Sequence, residues 1–100
     1  MPEFSPTELA EWSQGRWRGS QGAAITGISN DTRTIRRGDA YIALRGARFD
    51  GHSYVKDAFK GGASVAIVDS EWNGETYEKP VLVVVSTGEA LGRIALGYRR

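Results

Sequence analysis

The sequence predicts an α/β fold in which helices pack on a mixed β-sheet, and three observations carry that expectation. Aliphatic and β-branched runs at 40–44, 64–68 and 81–85 read as strands buried on both faces. Helical spacing appears between the first two runs, at Tyr54, Val55, Ala58 and Phe59, and again after the third, at Leu91, Ile94, Ala95 and Tyr98. The stretch separating 40–44 from 64–68 has room for a helix of about ten residues, the kind of connection that parallel neighbouring strands require.

The elements follow in chain order. Ser5, Pro6 and Glu8 form a helix start: a capping hydroxyl, a proline suited to the first turn, and a carboxylate able to reach back to the cap. Leu9 and Trp12 make the buried stripe of that first helix, and Gly15 is expected to end it in a left-handed conformation. Arg16, Trp17 and Arg18 alternate like a half-exposed strand, with Trp17 packing inward, and 19–22 is a turn. Ile25 and Ile28 open a strand that leaves the sheet at Ser29, Asn30 and Asp31. Arg37, Gly38 and Asp39 turn the chain into 40–44. The segment 46–52 is a loop with two glycines, Gly61 and Gly62 stop the following helix, and 72–79 is a surface excursion.

At 100 residues the chain is expected to form a single domain over 1–100. Thirteen Lys and Arg against 12 Asp and Glu leave a net charge of +1, which argues against a nucleic-acid or membrane partner held by a general electrostatic field. A nucleic-acid binder built on Arg16, Trp17 and Arg18 is disfavoured on the same ground. The absence of cysteine excludes disulfides and thiolate chemistry, and a lone histidine cannot build a His-rich metal site, so no metal site is expected here. The longest apolar run, 81–85, falls far short of the roughly 20 residues that cross a bilayer. With no signal-peptide pattern at the start, the cytoplasm is the expected compartment.

No phosphate-binding G-x-x-x-x-G-K-[ST] or G-x-G-x-x-G pattern is present, so nucleotide hydrolysis or hydride transfer within this chain is not expected. His52 beside Asp50 has the composition of a base with its orienting carboxylate, yet no serine nucleophile stands in a recognisable motif with them, and no catalytic residue is assigned. Two polar loops remain, 30–33 and 46–52, each just beyond a predicted strand. Ligands in open α/β sheets sit outside the carboxyl ends of strands. The Thr32 hydroxyl, the Arg33 and Arg48 guanidinium groups, the Phe49 ring and the backbone amides at Gly46 and Gly51 suit a ligand with phosphates and a base. On these features alone, a capped turn and a helix entry carrying surface charge explain the same residues equally well.

The same two segments carry a resemblance. Asn30, Asp31, Thr32 and Arg33, then the turn at Gly38 and Asp39, the strand Ala40-Tyr41-Ile42-Ala43-Leu44, Gly46, and Arg48-Phe49-Asp50-Gly51-His52 resemble, in that order, the N-terminal domain of the Mur ligases. The likeness extends over 4–98 and is specific between 30 and 68. It departs mildly at Thr32, where the family often has Ser, and at Arg37, where Pro is common before the glycine. The pattern is more like the members that add D-alanyl-D-alanine to UDP-N-acetylmuramoyl-tripeptide, with those that add the third amino acid next.

The resemblance implies a role, and every part of it is an expectation. The chain would hold the UDP end of a UDP-N-acetylmuramoyl-peptide, through Asn30, Thr32, Arg33, Gly46, Ala47, Arg48 and Phe49 around the uracil and pyrophosphate. Asp50 and His52 would shape the loop more than touch the ligand. No cofactor is expected in this domain; ATP and magnesium would bind a central domain after Arg100, so the isolated domain would not catalyse the ligation alone. A stand-alone module using the same loops for a nucleotide-sugar or a protein partner is the alternative from another class.

Overall fold

The structure is a computed structural model and describes residues 3–18, 24–47, 50–72, 74 and 79–98, the last without its side chain. The elements are α1 (Pro6–Ser13), β1 (Arg16–Arg18), β2 (Gly27–Ser29), β3 (Asp39–Ile42), a 3₁₀ turn (Gly51–Tyr54), α2 (Val55–Lys60), β4 (Val65–Asp69), β5 (Val81–Val84) and α3 (Thr87–Tyr98). They build one five-stranded sheet in the order β1-β5-β4-β3-β2. The pairs β2·β3, β3·β4 and β4·β5 are parallel and β1·β5 is antiparallel, which is the mixed α/β sheet that the residue pattern predicts.

Because side chains alternate across a strand, each central strand feeds both faces. Ala40, Ile42, Val65, Ile67, Leu82 and Val84 face α1 and α3, where Leu9, Ala90 and Ile94 close over them. Tyr41, Ala66, Val68 and Val81 face the other way, onto Val55, Ala58 and Phe59 of α2. All five residues of β4 are buried, the run Val65-Ala66-Ile67-Val68 being apolar on both faces.

The N-terminal signals act as read. The Ser5 hydroxyl accepts the Glu8 N–H at 3.0 Å, and the Glu8 carboxylate accepts the Ser5 N–H at 3.0 Å, completing the capping box. Helix α1 ends differently from the expectation. Gln14, not Gly15, takes the left-handed conformation at φ 61. Gly15 serves packing instead, since a Cβ there would lie 2.9 Å from Leu82 Cγ and 2.9 Å from Val84 Cγ1. The turns at Gly38 and Gly62 do require positive φ, at 93° and 113°.

Other details also differ from the expectation. Strand β5 stops at Val84, leaving Val85 83% exposed. The helix expected from Tyr54 starts as a 3₁₀ turn and becomes α-helical at Val55. In α3 the buried residues include Ala90, Ile94 and Gly97, whereas Ala95 is exposed. The reason is contact with α1: at Gly97 a Cβ would fall 2.4 Å from Trp12 Cγ, so only a bare backbone fits, and this turns the packed face about one residue away from the aliphatic stripe. Trp17 packs against the core, and its buried indole N–H has no hydrogen-bond partner among the described residues. The turn expected at 19–22 and most of 72–79 lie outside the described residues.

Candidate functional site

The carboxyl ends of β2 and β3 open into a concave site of about 460 Å³ lined by Asn30, Asp31, Thr32, Arg33, Tyr41, Gly51 and Tyr54. Neighbouring parallel strands bring these residues together: β2 releases 30–33 as it leaves the sheet, and Tyr41 stands opposite Ser29 in the register. The chain leaving β3 then returns through Gly51 into the 3₁₀ turn.

The first loop is held by its own side chains. Asp31 Oδ1 accepts the Arg33 N–H at 2.9 Å, and the Arg33 guanidinium donates to the same carboxylate at 3.1 and 2.9 Å. This contact holds the Asp31 carboxyl below the ordinary carboxylate value and raises Arg33. Ser29 Oγ accepts the Asp31 N–H at 3.2 Å. Asn30 and Thr32 line the hollow, and their side chains have no hydrogen-bond partner among the described residues. An amide and a hydroxyl are therefore free to meet a ligand.

The wall opposite is built on Tyr41 and Gly51. The Tyr41 hydroxyl donates to the Gly51 carbonyl at 2.8 Å, and burial pushes the phenol up to about 12. The Gly51 N–H donates to the Leu44 carbonyl at 2.8 Å. Tyr54, 46% exposed, closes the rim.

Of the second loop, Gly46 and Ala47 are exposed and lie between the bridged residues Arg45 and Asp50, outside the lining of the hollow. Arg48 and Phe49 lie outside the described residues. Asp50 and His52 turn away from the hollow toward Arg45 and Asp69. Asp50 Oδ1 accepts the His52 N–H at 2.9 Å and sits 2.7 Å from His52 Nδ1. The donated His52 N–H, together with the imidazole and Arg45, lowers the Asp50 carboxyl. Arg45 bonds Asp69 through Nε and Nη2 at 2.5 and 3.1 Å, which lowers Asp69 and raises Arg45.

Tyr41, Tyr54, Arg45 and Asp69 are not among the site residues expected from sequence. A tyrosine in an otherwise aliphatic strand, and a carboxylate ending a fully buried one, were the signals available for Tyr41 and Asp69. Among the described residues no group of three or more His, Asp and Glu is placed to hold a metal ion. A roomier hollow, about 670 Å³ around Phe4, Ile28, Arg36 and Leu91, opens near Gly27 and Asp39 at the amino ends of β2 and β3. Ligands of open α/β sheets gather at the opposite end, which makes the hollow at Asn30 and Tyr41 the candidate. No helix among the described residues is long and apolar enough to cross a membrane.

The chain is similar to known proteins in sequence and in fold. The family model described as "Mur ligase family, catalytic domain" matches residues 24–99. The UDP-N-acetylmuramoyl-tripeptide--D-alanyl-D-alanine ligase of Synechocystis sp. is 39% identical over 83 residues, covering 81% of this chain and 18% of that protein. The UDP-N-acetylmuramoyl-L-alanyl-D-glutamate--2,6-diaminopimelate ligase of Oceanobacillus iheyensis is 39% identical over 74 residues, covering 74% of this chain and 15% of its own. A crystal structure of MurF from Acinetobacter baumannii superposes with a TM-score of 0.86 at 33% identity, over 99% of this chain and 21% of that one. The chain thus spans less than a quarter of the length of the proteins it matches. With its five-stranded mixed sheet, its packed helices and this agreement in sequence and structure, the chain belongs to the Mur ligase family.

Proposed function

We propose that this chain is a precursor-binding domain of a peptidoglycan ligase, holding the UDP end of UDP-N-acetylmuramoyl-tripeptide while the rest of the protein adds D-alanyl-D-alanine. The observation that carries the reading is the hollow where the free Asn30 amide and Thr32 hydroxyl share a wall-lined space with Tyr41 and the exposed Tyr54 ring. Amide and hydroxyl groups match the edge of a uracil or an oxygen of the pyrophosphate, and an exposed tyrosine offers a face for a base to stack on. Arg48 and Phe49, next to Ala47 in sequence, would add a phosphate-pairing cation and a second ring.

In this reading the chain contributes positioning. Binding energy from the remote UDP group lowers the entropic cost of bringing the peptide carboxylate to its reaction site. In this reading no catalytic role is assigned to the domain. ATP, magnesium and the incoming amine would be bound by the central and C-terminal parts of the ligase, in the cytoplasm. The homologous reaction that adds the third amino acid is the second reading, favoured by the 39% identity to the Oceanobacillus ligase.

The test is an NMR titration of the chain with UDP-N-acetylmuramoyl-tripeptide, with UMP and ATP as comparisons, following the amides of 30–33 and 46–52. Saturable shifts in both loops with the UDP compounds and none with ATP are expected. No shift with either UDP compound at millimolar concentration overturns the assignment. Because both candidate reactions share the UDP end, the choice between them falls to amine specificity in the complete ligase.

A further inference from the structure

Arg45, Asp50, His52 and Asp69 are joined in a closed ring. The Arg45 fork takes both oxygens of Asp69, and its Nη1 donates to Asp50 Oδ2 at 2.7 Å. Asp50 Oδ1 meets His52 Nδ1 at 2.7 Å, and His52 Nε2 accepts the backbone N–H of Asp69 at 3.0 Å. A nitrogen that accepts from an amide carries no proton. The neutral imidazole therefore bears its proton on Nδ1, directed at Asp50, and the ring of contacts selects one tautomer.

The members tie the chain after β3 to the end of β4. Arg45 and Asp50 are the bridged residues on either side of 46–49. Asp50 and His52 flank Gly51, whose carbonyl and N–H are fixed by Tyr41 and Leu44 in the wall of the hollow. Asp69 is the last residue of β4, 7% exposed, and the rigid central strand behind it is fully buried. We propose that Asp69 is a positioning residue: acting through Arg45 and His52, it anchors Arg45, Asp50 and His52 to the sheet and so sets where the Gly51 wall stands. As a role in ligand binding, this rests on the precursor-binding reading above.

Stability does not explain the arrangement. Arg45 is 44% exposed, and half-exposed ion pairs contribute little to folding. What the contacts supply is direction. A guanidinium fork admits one orientation of its carboxylate, and an imidazole bonded at both nitrogens admits one ring position. Glu71, 84% exposed with its Oε2 3.9 Å from Arg45, is the one other carboxylate bridged to Arg45 among the described residues.

The test compares Asp69→Asn, Arg45→Lys and Glu71→Gln in this chain. The readouts are the ¹⁵N signals of the His52 ring, the amides of 45–52, the melting temperature, and the affinity for UDP-N-acetylmuramoyl-tripeptide. Asp69→Asn retains size and the backbone N–H to His52 but removes the charge that orients Arg45. It is expected to displace the amide signals of Arg45, Asp50 and His52 and to weaken precursor binding by about tenfold, with little change in melting temperature. Arg45→Lys keeps the charge without the fork and is expected to move the same signals, which keeps the test decisive if Asp69→Asn does not fold. Glu71→Gln is expected to leave all four readouts in place. Unmoved 45–52 amides in Asp69→Asn and Arg45→Lys, or a His52 ring protonated on Nε2 in the unsubstituted chain, overturn the proposal; so does an affinity loss fully accounted for by unfolding. If the unsubstituted chain binds neither UDP compound, the precursor reading fails, while the ring and amide signals still decide whether Asp69 positions the loop.

Discussion

Replacing Gly51 by alanine tests the wall of the hollow with a single methyl group. Gly51 is not at a positive φ, so any cost comes from space rather than backbone angle. The added Cβ would lie 2.9 Å from Leu44 N, 2.9 Å from Leu44 O and 3.1 Å from Tyr41 Oη. The first two are backbone atoms of a bridged segment and cannot rotate away. Relief requires moving the Gly51 N–H off the Leu44 carbonyl, the Tyr41 hydroxyl off the Gly51 carbonyl, or both. Overpacking of this kind costs about 1–3 kcal/mol. Leaving a buried phenol without its acceptor costs about 1–3 kcal/mol more. Against this stands a gain of up to about 1 kcal/mol from the lower entropy of the unfolded chain. With both costs incurred the expected net loss is about 1–6 kcal/mol, or a fall of at least about 4 °C in Tm for a chain of this size. Thermal and urea unfolding followed by circular dichroism measure it. Gly92→Ala is the matched control, because a Cβ there meets nothing within 4 Å in the middle of α3. It is expected to stabilise by about 0.5–1 kcal/mol. A Tm for Gly51→Ala within about 2 °C of the unsubstituted chain, or equal effects of the two substitutions, would refute the steric reasoning.

Three other outcomes are expected. Ser5→Ala removes the capping hydroxyl of α1 and is expected to cost about 1 kcal/mol in urea unfolding; a loss below about 0.3 kcal/mol contradicts the cap. Asp50 and Asp69 both have carboxyls lowered from 3.8 in the folded state, so their contribution is present above that value and is lost as pH falls through their lower folded values. The urea midpoint is therefore expected to decline modestly below about pH 4; a midpoint that rises there counts against the lowered carboxyls. In the complete ligase, Thr32→Ala and Arg48→Ala are each expected to raise KM for the UDP-precursor about tenfold while KM for ATP stays nearly constant, and unchanged precursor kinetics in both variants removes these residues from the site.

Much of this architecture is written locally in the residues. Ser5, Pro6 and Glu8 cap a helix through bonds within three positions, and the β-branched run of β4 can only be buried on both faces. The order of the motifs from Asn30 to His52 pointed to the family and to two loops at one end of the sheet, because parallel strands deliver their carboxyl ends to the same side. What the chain pattern could not convey was which side chains meet. Gly15 looks like helix punctuation in sequence, yet it is small because Leu82 occupies the space a Cβ would need, and Gly97 leaves the same room for Trp12. Asp50 and His52 look like a possible base pair for chemistry, and only their position relative to Arg45 and Asp69 shows them tying a loop to β4. Contacts such as Arg45 to Asp69 span 24 positions and depend on the strand register, which propensity and spacing do not encode. Local patterns decide which elements form, because their bonds close within a few residues; packing decides what those elements do, because it alone brings distant groups to bonding distance.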